Sequence, residues 1–481
     1  MARTAGSIIA NDPSDPLAHV TAPPLNETAA ERQERLEKET EAKQVSDGID
    51  RDIEAEREAT KARKPIKILL LGQSESGKST TLKNFQLMYD PKAFRLEKAS
   101  WRAVIQLNLV RSFHVMFDAV TRAQELNQKG ENALIIPPEL LRIKLRIMPL
   151  LAIENILIRR LTPEGSGEVE AVQLGASTGL AKAERTKHYI KEVAINSTKG
   201  WKEAFTGNPA SPTRQSFESG DDIDWNDPKD PGRVIHECAE DMIKFWNDPI
   251  IQRLLNQQNM RMQEVSGFFL DQLDRVTAPR YIPTDDDVLR ARLKTLGVTE
   301  HRFTLSTDVA TGKLIGRDWR VFDVGGHRSQ TAAWVPYFDD MDAIIFLAPI
   351  SCFDQTLAED LKTNRLSDSV QLWEQLVRNQ LLRETNLILF LNKIDIFKAK
   401  IKSGVKLADY VVSYGNRPND FESTVDYLRK KFAGILKEGS PLPRHFYGHL
   451  TAVTNTQSTQ YILTNLQEMI MREVFVKSSL L

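Results

Sequence analysis

One eight-residue segment restricts the fold of this chain more than any other. Residues 72–79 read GQSESGKS and match the pattern G-x-x-x-x-G-K-[S/T]. The segment directly follows Ile66–Leu71, a continuous apolar run of the kind that forms a buried strand, and it precedes a predicted helix that starts near Ser79. A strand, a glycine-rich loop and a helix in this order are the context of a phosphate-binding loop. The sequence therefore predicts an α/β domain with a phosphate site at this loop.

A second segment points to the base of a nucleotide. Residues 392–395 read NKID and follow the apolar run at 387–391, so Asp395 lies just past the end of a predicted strand, where open α/β sheets bind ligands. A carboxylate there can accept hydrogen bonds from N1 and N2 of guanine, which adenine does not offer. By itself NKID fits a surface turn equally well. Downstream of a phosphate-binding loop, it predicts a guanine site.

Further groups suit a nucleoside triphosphate with Mg²⁺. In the loop, Lys78 offers positive charge to the β- and γ-phosphates, and the Ser79 hydroxyl can coordinate the ion. Residues 323–326 read DVGG, a strand-end carboxylate that can hold Mg²⁺ through water, followed by glycines whose backbone can reach a γ-phosphate. Arg292 and Thr295 place a cation and a hydroxyl three positions apart in a predicted loop. Without the other motifs, DVGG would be interpreted as a turn, and the segment around Arg292 as a solvated basic stretch.

Composition sets the first part of the chain apart. Residues 1–26 are rich in proline and poor in apolar side chains, which indicates a disordered leader. Residues 27–64 are dense in charged residues and alanine, which predicts a long helix. Val45, Ile49 and Ile53 recur there at helical spacing and form one thin apolar stripe. A plain solvated helix fits this segment equally well.

The rest of the chain is predicted to be an α/β domain split by a helical one. Strand candidates alternate with helices after Pro283 and lie at 303–307, 319–323, 343–348 and 386–391. A segment rich in glycine, proline and polar residues at 162–233 is interpreted as a flexible insertion. We therefore assign residues 65–91 and 286–481 to an α/β domain with a mostly parallel sheet, and residues 92–285 to an inserted all-helical domain.

Bulk composition argues against several classes of protein. The formal net charge of -1 gives no reason to expect nucleic acid as a partner. Cys238 and Cys352 lie far apart and outside any metal-ligand spacing, which fits a reducing compartment. No apolar run approaches the roughly 18 residues needed to span a bilayer, and the first residues lack a signal-peptide pattern. We expect an intracellular protein that is soluble or peripheral.

Together, the four segments and their order resemble the heterotrimeric G protein α subunit family over roughly residues 65–475. Two more stretches support the resemblance, FLDQLDRV at 269–276 and LAED at 357–360. The resemblance implies a Ras-like P-loop GTPase domain with an inserted all-helical domain and a nucleotide in the cleft between them. It also implies a signalling switch that binds GTP or GDP with Mg²⁺ and hydrolyses GTP by in-line attack of water.

The resemblance assigns roles to individual residues. Three residues match catalytic positions. Lys78 would neutralise phosphate charge, Arg292 matches the arginine supplied in cis, and His327 stands at the position of the residue that orients the attacking water. Three would hold the metal ion: Ser79, Thr295 and, through water, Asp323. The expected nucleotide contacts, which include a γ-phosphate-sensing glycine at 326 and a backbone N–H at 453, are Glu75, Ser76, Gly77, Lys78, Ser79, Thr80, Leu289, Arg290, Arg292, Thr295, Asp323, Gly325, Gly326, Asn392, Lys393, Asp395 and Val453.

Two positions depart from the family pattern around the γ-phosphate. His327 replaces the glutamine that orients the attacking water, and its ring nitrogens point in different directions, whereas an amide presents donor and acceptor side by side. Ser74 replaces a glycine, and any side chain there crowds the γ-phosphate. We therefore predict slow hydrolysis. The alternative is that a neutral His327 still guides a water.

Other functions fit the sequence to different degrees. The principal alternative is a GTP-bound scaffold or effector-binding module with negligible GTPase activity, which Ser74 and His327 favour. Asp395 argues against an ATP-dependent enzyme. A chain that has lost nucleotide binding conflicts with the presence of Lys78 and Ser79.

The resemblance also implies partners. The predicted helix at 27–64 matches the family's βγ-docking helix in place and composition, whereas residues 329–334 (SQTAAW) lack the charges usual in the switch II helix. The resemblance implies coupling to a G protein-coupled receptor and to an effector, but it does not identify either partner. Ala2 follows Met1, and the first cysteine is Cys238, so neither of the family's N-terminal lipid anchors can form. We expect a cytoplasmic protein, at most peripheral at the cytoplasmic face of the plasma membrane.

Overall fold

The computed structural model describes most of the chain. The described residues are 28–62, 65–130, 134–161, 169–172, 190–196, 224–258, 260–264, 267–296, 298–304, 318–326, 334–338, 340–357, 360 and 362–477. Two compact units divide the chain, Met1–Pro65 and Ile66–Leu481. Within the described ranges, no helix combines the length and the apolar character that crossing a membrane requires.

The first unit contains one long helix, α1 (Ala29–Ala62). The predicted leader at 1–26 lies outside the described residues. Val45, Ile49 and Ile53 of α1 are 58%, 54% and 43% exposed, so the predicted apolar stripe is not covered within this unit. An ion pair between Lys38 and Glu34 spans one helical turn at 2.7 Å and supports the helix where no core does.

The second unit is built around a six-stranded sheet. In chain order, the strands of this unit are β1 (Ile66–Leu71), β2 (Val169–Val172), β3 (Ile190–Asn196), β4 (Lys294–Leu296), β5 (Val298–Thr304), β6 (Asp318–Val324), β7 (Ala343–Pro349), β8 (Asn386–Asn392) and β9 (Tyr447–Thr451). The large sheet has the order β5-β6-β1-β7-β8-β9. Only the pair of β5 and β6 is antiparallel. The parallel strands therefore end at one common edge, where ligands bind in such sheets.

The predicted strands agree with most of this sheet. Three of them lie within β6, β7 and β8, and the candidate at 303–307 overlaps the end of β5. β9 was not predicted, because its sequence YGHLT has neither an apolar run nor clear alternation. It is held by its parallel pairing with β8, in which Asn392 lies opposite Thr451.

Helices cover both faces of the sheet and also form a core of their own. In chain order they are α2 (Lys78–Tyr89), α3 (Pro91–Gln128), α4 (Pro138–Ile147), α5 (Pro149–Leu161), α6 (Pro231–Glu237), α7 (Ala239–Asn247), α8 (Pro249–Gln257), α9 (Leu273–Val276), α10 (Asp285–Arg290), α11 (Arg365–Arg378), α12 (Ile394–Lys402), α13 (Phe421–Gly439) and α14 (Thr456–Lys477). Alternate residues of β1 point to opposite faces: Leu69 packs with α11, α12 and α13, and Leu70 packs with α2 and α14. A third apolar cluster, from Phe94 to Ala291, takes its residues from the helical part and none from the six-stranded sheet.

Part of the predicted flexible insertion forms strands. β2 and β3 are antiparallel neighbours, and β3 pairs in parallel with β4, where Ile195 lies opposite Thr295. The glycine-rich and polar composition of residues 162–233 did not predict these strands. The short segments VEAV and IKEVAIN carry the β-branched residues that strands favour, which composition averaged over the whole insertion conceals.

Candidate nucleotide-binding site

The loop between β1 and α2 has a backbone that only glycine can supply at two positions. Gly72 and Gly77 have φ angles of 143° and 105°. A Cβ on Gly72 would lie 2.5 Å from the Leu347 carbonyl oxygen, so β7 closes against the loop. A Cβ on Gly77 would collide with the Asn392 side chain. These close approaches fold the loop tightly over the end of the sheet, with α2 starting at Lys78.

Lys78 is held inside this loop. Its ammonium donates to the carbonyl oxygens of Gly72 at 2.9 Å and Gln73 at 2.8 Å, and the residue is 6% exposed. Burial lowers the pKa of Lys78 to about 8, although the Asp323 carboxylate acts in the opposite direction. The side chain thus presents a partly desolvated cation at the loop, as phosphate binding requires.

Ser79 and Asp323 form the part of the site that suits a metal ion. The Ser79 hydroxyl donates to Asp323 Oδ2 at 2.7 Å. Asp323 is 2% exposed, and its Oδ1 has no hydrogen-bond partner among the described residues. Burial raises the pKa of Asp323, against the effects of Lys78 and Ser79. A hydroxyl beside a carboxylate with a spare oxygen fits Mg²⁺, which prefers oxygen ligands. Thr295 lies on β4, and its side chain is outside the described part of the structure.

Asn392 connects the phosphate loop with the loop after β9. Its Nδ2 donates to the Ser76 carbonyl oxygen at 2.7 Å. Its Oδ1 accepts from the Thr451 hydroxyl at 3.0 Å and from the Val453 N–H at 3.3 Å. Asn84 of α2 donates to the Val453 carbonyl oxygen at 2.9 Å and completes the connection. The two ends of the predicted nucleotide site are therefore joined by one buried amide.

The other residues of the NKID segment flank this amide. Lys393 has a left-handed backbone, with φ 61°, and immediately precedes α12. Burial lowers the pKa of Lys393, with Glu75 acting in the opposite direction. Asp395 lies in the first turn of α12 and is exposed. An exposed carboxylate next to Lys393 can accept hydrogen bonds from a base that stacks against this edge of the sheet.

Arg292 is fixed at its backbone and directed by an ion pair. The side chain of Asn108, on α3, both accepts from the Arg292 N–H at 2.8 Å and donates to the Arg292 carbonyl oxygen at 2.9 Å. The Arg292 guanidinium forms an ion pair with Glu75 in the phosphate loop. A helical-domain residue therefore holds the predicted catalytic arginine beside the loop.

Glu75 lies between two guanidinium groups. Arg365, at the start of α11, contacts the Glu75 carboxylate at 3.2 Å on its other oxygen. Burial disfavours the charged carboxylate, but Arg292, Arg365 and Lys393 outweigh it and hold the pKa of Glu75 well below its usual range. Glu75 is thus ionised at neutral pH and links three parts of the site.

The segment before Arg292 is attached to α2. Lys83, 6% exposed, donates to the carbonyl oxygens of Val288 at 2.7 Å and Ala291 at 3.0 Å. Its ammonium also lies 3.8 Å from the centre of the Trp101 ring. The Thr80 hydroxyl donates to the carbonyl oxygen of Leu289, at 3.3 Å, and Arg290 is exposed.

The strand-end segment DVGG lies against the phosphate loop. A Cβ on Gly326 would collide with Lys78 Nζ and with the backbone of Gln73. The Gly325 carbonyl oxygen accepts from the Trp334 indole at 3.0 Å. His327 lies outside the described residues, so the structure gives no position for the predicted water-positioning side chain.

Sequence reasoning missed several polar residues that build the site. Their common sequence signal is a polar side chain inside an otherwise apolar or helical stretch, and they are Lys83, Asn84, Asn108, Arg365 and Asp368. Asn108, for example, stands between the apolar residues Leu107 and Leu109 of α3. Such a signal marks a buried polar group without indicating its distant partner.

Comparison with known proteins covers both the sheet and the helical part. A family model described as G-protein alpha subunit matches residues 43–470. The chain is 31% identical to the guanine nucleotide-binding protein alpha-4 subunit of Mycosarcoma maydis, over 96% of this chain and 95% of the relative. It is 27% identical to the guanine nucleotide-binding protein alpha-1 subunit of Saccharomyces cerevisiae, over 90% of this chain and 94% of the relative. It is 28% identical to the guanine nucleotide-binding protein alpha-2 subunit of Neurospora crassa, over 88% of this chain and 92% of the relative.

Proposed function

Because this chain belongs to the G-protein alpha subunit family, we propose that it is a signalling switch that binds GTP and GDP with Mg²⁺ and hydrolyses GTP slowly. Family membership confirms the predicted architecture, a Ras-like GTPase domain with an inserted helical domain, and a guanine-nucleotide-binding signalling role. The metal ion, the hydrolysis rate and the partners belong to the proposal.

The observation that carries the proposal is the position of Asn392. Its amide joins Ser76 of the phosphate loop to Val453 of the loop after β9. The amide thereby sets the separation between the phosphate contacts and the base contacts, and such preorganisation would reduce the entropy that binding costs. The exposed Asp395 carboxylate would then select guanine over adenine through N1 and N2.

Each charged group has a role in the proposed reaction. Lys78 would neutralise the β- and γ-phosphates, and Ser79 and Asp323 would hold Mg²⁺, which when bound stabilises the charge of the leaving diphosphate. A water oxygen would form a bond to the γ-phosphorus while the bond to the β–γ bridging oxygen breaks and its electron pair leaves with GDP. The proton of the water would pass to an oxygen of the phosphate product. Arg292 would have to turn from Glu75 to the γ-phosphate to stabilise the charge that develops there.

Two side chains support slow turnover. In the sequence, His327 replaces the family's glutamine, whose amide would hold the attacking water, and Ser74 replaces a glycine and would add a side chain next to the γ-phosphate. Each lost positioning contact of about 1.4 kcal/mol slows the reaction roughly tenfold. The same two residues favour the second candidate function, a GTP-bound scaffold or effector-binding module with negligible turnover.

Single-turnover hydrolysis of GTP tests the proposal. We expect the wild type to hydrolyse GTP at least about tenfold more slowly than His327→Gln combined with Ser74→Gly. His445→Gln, the same exchange at an exposed position, is the matched control and should leave the rate unchanged. A wild-type rate equal to that of the double variant contradicts slow turnover, and no measurable turnover in the wild type favours the scaffold.

Selectivity and metal dependence are measured in the same preparation. We expect GTP to displace a fluorescent GDP analogue at far lower concentration than ATP does, because adenine lacks the N1–H and N2–H donors that Asp395 would accept from in guanine. Chelation of Mg²⁺ should accelerate release of GTP analogues. Equal competition by ATP contradicts the guanine site.

The proposed partners are βγ subunits, a G protein-coupled receptor and an effector, with the protein at the cytoplasmic face of a membrane. The exposed stripe of α1 supports βγ binding, because a charged helix with an uncovered apolar face can dock on a partner. Ile49→Asp should abolish capture by purified βγ dimer in the GDP state. Leu381→Asp, at an exposed apolar side chain of the second unit, serves as the control.

A further inference from the structure

The phosphate loop contains a buried glutamine that contacts a distant helix. Gln73 is 3% exposed. Its Nε2 donates to the Arg365 carbonyl oxygen at 2.8 Å and to the Asp368 carboxylate. Asp368, 3% exposed, lies in the first turn of α11. We call Gln73, Arg365 and Asp368 the loop latch.

Further contacts connect the same turn of α11 with the residues that follow Gln73. The Arg365 guanidinium donates to the Ser74 carbonyl oxygen at 2.8 Å and contacts the Glu75 carboxylate at 3.2 Å. Three consecutive loop residues are therefore anchored to one helical turn. These contacts join segments 290 to 295 residues apart in the sequence, so only the folded chain can form them.

The Gln73 amide matches the two acceptors that it meets. The Arg365 carbonyl and the Asp368 carboxylate are both acceptors, and the Gln73 NH₂ group offers one hydrogen to each. Turning the amide over would place its oxygen against two acceptors, so the orientation is fixed by chemistry. Gln73 Oε1 has no partner among the described residues, which shows that the latch is made through nitrogen alone.

Gln73 also lies where two groups of the site meet. Its carbonyl oxygen accepts from Lys78, and Gly326 rests against its backbone. Glu75, two residues on, pairs with Arg292. The front of the loop, residues 73–75, thus faces Gly326 and Arg292, the side at which the proposed function places the third phosphate. The back of the loop, residues 76–79, leads into α2.

We propose that Gln73 is a positioning residue that holds the front of the phosphate loop against α11 and thereby favours retention of nucleotides with a third phosphate. This inference rests on the proposed function. Without the latch the front of the loop would be free to move away from Gly326, whereas the back would stay fixed by Asn392 and by α2. Release of a triphosphate should therefore change more than release of a diphosphate.

Dissociation rates of two nucleotides from the full-length protein test this. Gln73→Met keeps the length of the side chain and removes both donors, and we expect GTPγS to leave about tenfold faster and GDP less than about threefold faster. Asp368→Asn keeps an acceptor for the amide, so its two rates should stay within about twofold of wild type. Gln371→Met, the same exchange at an exposed position of α11, is the control.

Each result bears on the inference. If GTPγS and GDP both dissociate faster by the same factor and the melting temperature falls, Gln73 only supports the fold. If both dissociation rates are unchanged, the loop latch does not hold the loop. Either result overturns the inference and leaves the proposed function intact. A wild type that binds neither nucleotide overturns the proposed function and the inference with it. If Gln73→Met does not fold, Arg365→Met removes the donor to the Ser74 carbonyl and should give the same difference between nucleotides.

Discussion

Asn392 and Ser76 are joined by a hydrogen bond of 2.7 Å across 316 residues of sequence. Asn392 is the last residue of β8, and Ser76 lies in the loop that follows β1, so the bond crosses the carboxyl edge of the sheet. Both residues are fully buried. The bond makes the position of the phosphate loop depend on a residue of the predicted guanine site.

Removal of this amide should weaken both folding and binding. Asn392→Ala leaves the Ser76 carbonyl, the Thr451 hydroxyl and the Val453 N–H without their partner, so we expect the free energy of unfolding to fall by about 2–4 kcal/mol. GDP affinity should fall in parallel. Urea denaturation with and without GDP measures both, and Asn416→Ala, at an exposed position, should change neither. An unchanged urea midpoint would refute the structural role of Asn392.

A buried charge cluster should make a separate contribution to stability. Asp354 accepts from Lys400 at 2.5 Å and from Arg261 at 2.8 Å, and the side chains of Asp354 and Lys400 are 8% and 3% exposed. Asp354→Asn leaves a buried ammonium without its counter-charge, which should cost about 3 kcal/mol.

Thermal and urea unfolding of Asp354→Asn test this estimate of the cost. The matched control is Asp426→Asn, which breaks an exposed pair with Lys430 and should change the free energy of unfolding by less than about 0.5 kcal/mol. Similar effects of the two variants would show that burial of the Asp354 pair has no energetic importance.

Lys83 should control how firmly Arg292 is held. Lys83→Met keeps a side chain of similar length but removes the ammonium, which donates to the carbonyls of Val288 and Ala291 and lies over the Trp101 ring. We expect a loss of about 1–3 kcal/mol in the free energy of unfolding and a slower single-turnover hydrolysis, with little change in GDP affinity. The exposed Lys437→Met is the control. A weaker GDP affinity at an unchanged hydrolysis rate would argue against this role.

The pH dependence of stability should reveal the Glu75 ion pairs. The folded protein holds the pKa of Glu75 below its ordinary value of 4.5, so the pairs with Arg292 and Arg365 contribute fully above about pH 4.5 and are lost as pH falls towards the lower, folded-state pKa. Glu75→Gln should therefore be less stable than wild type at pH 7, and the difference should shrink only below about pH 4.5.

Urea midpoints measured from pH 7 down to about pH 3 give this comparison. Glu374→Gln removes a carboxylate that is 41% exposed in a surface pair with Arg378 and should show no such trend. A difference between Glu75→Gln and wild type that grows as pH falls would have the wrong sign for a carboxylate with a lowered pKa.

The parts of the fold that could be predicted are those whose signal is contiguous. The phosphate loop, DVGG and NKID each stand directly after an apolar strand, and parallel strands bring their ends to one edge, so these segments had to converge. β9 gave no such signal, since its pairing with β8 and not its own composition makes it a strand. The strands β2 and β3 were hidden by the composition of the segments around them.

The contacts that orient the site could not be predicted. Asn108 and Arg292 are 184 residues apart, and Gln73 and Asp368 are 295 apart. Each of these residues has an ordinary polar side chain whose role depends on which acceptor the folded chain brings to it. The sequence identified the groups that would meet a nucleotide, whereas the groups that hold them in place emerged only from the structure.

Gly326 lies so close to Gln73 and Lys78 that not even a methyl group on Gly326 would fit against them. A Gly326→Ala variant would therefore have to displace Lys78 or the backbone of Gln73, at the side of the loop where we propose that the third phosphate binds. Under the proposed function, His327 and Ser74 would determine how long GTP stays unhydrolysed, and Gly326 would be the backbone position next to its γ-phosphate.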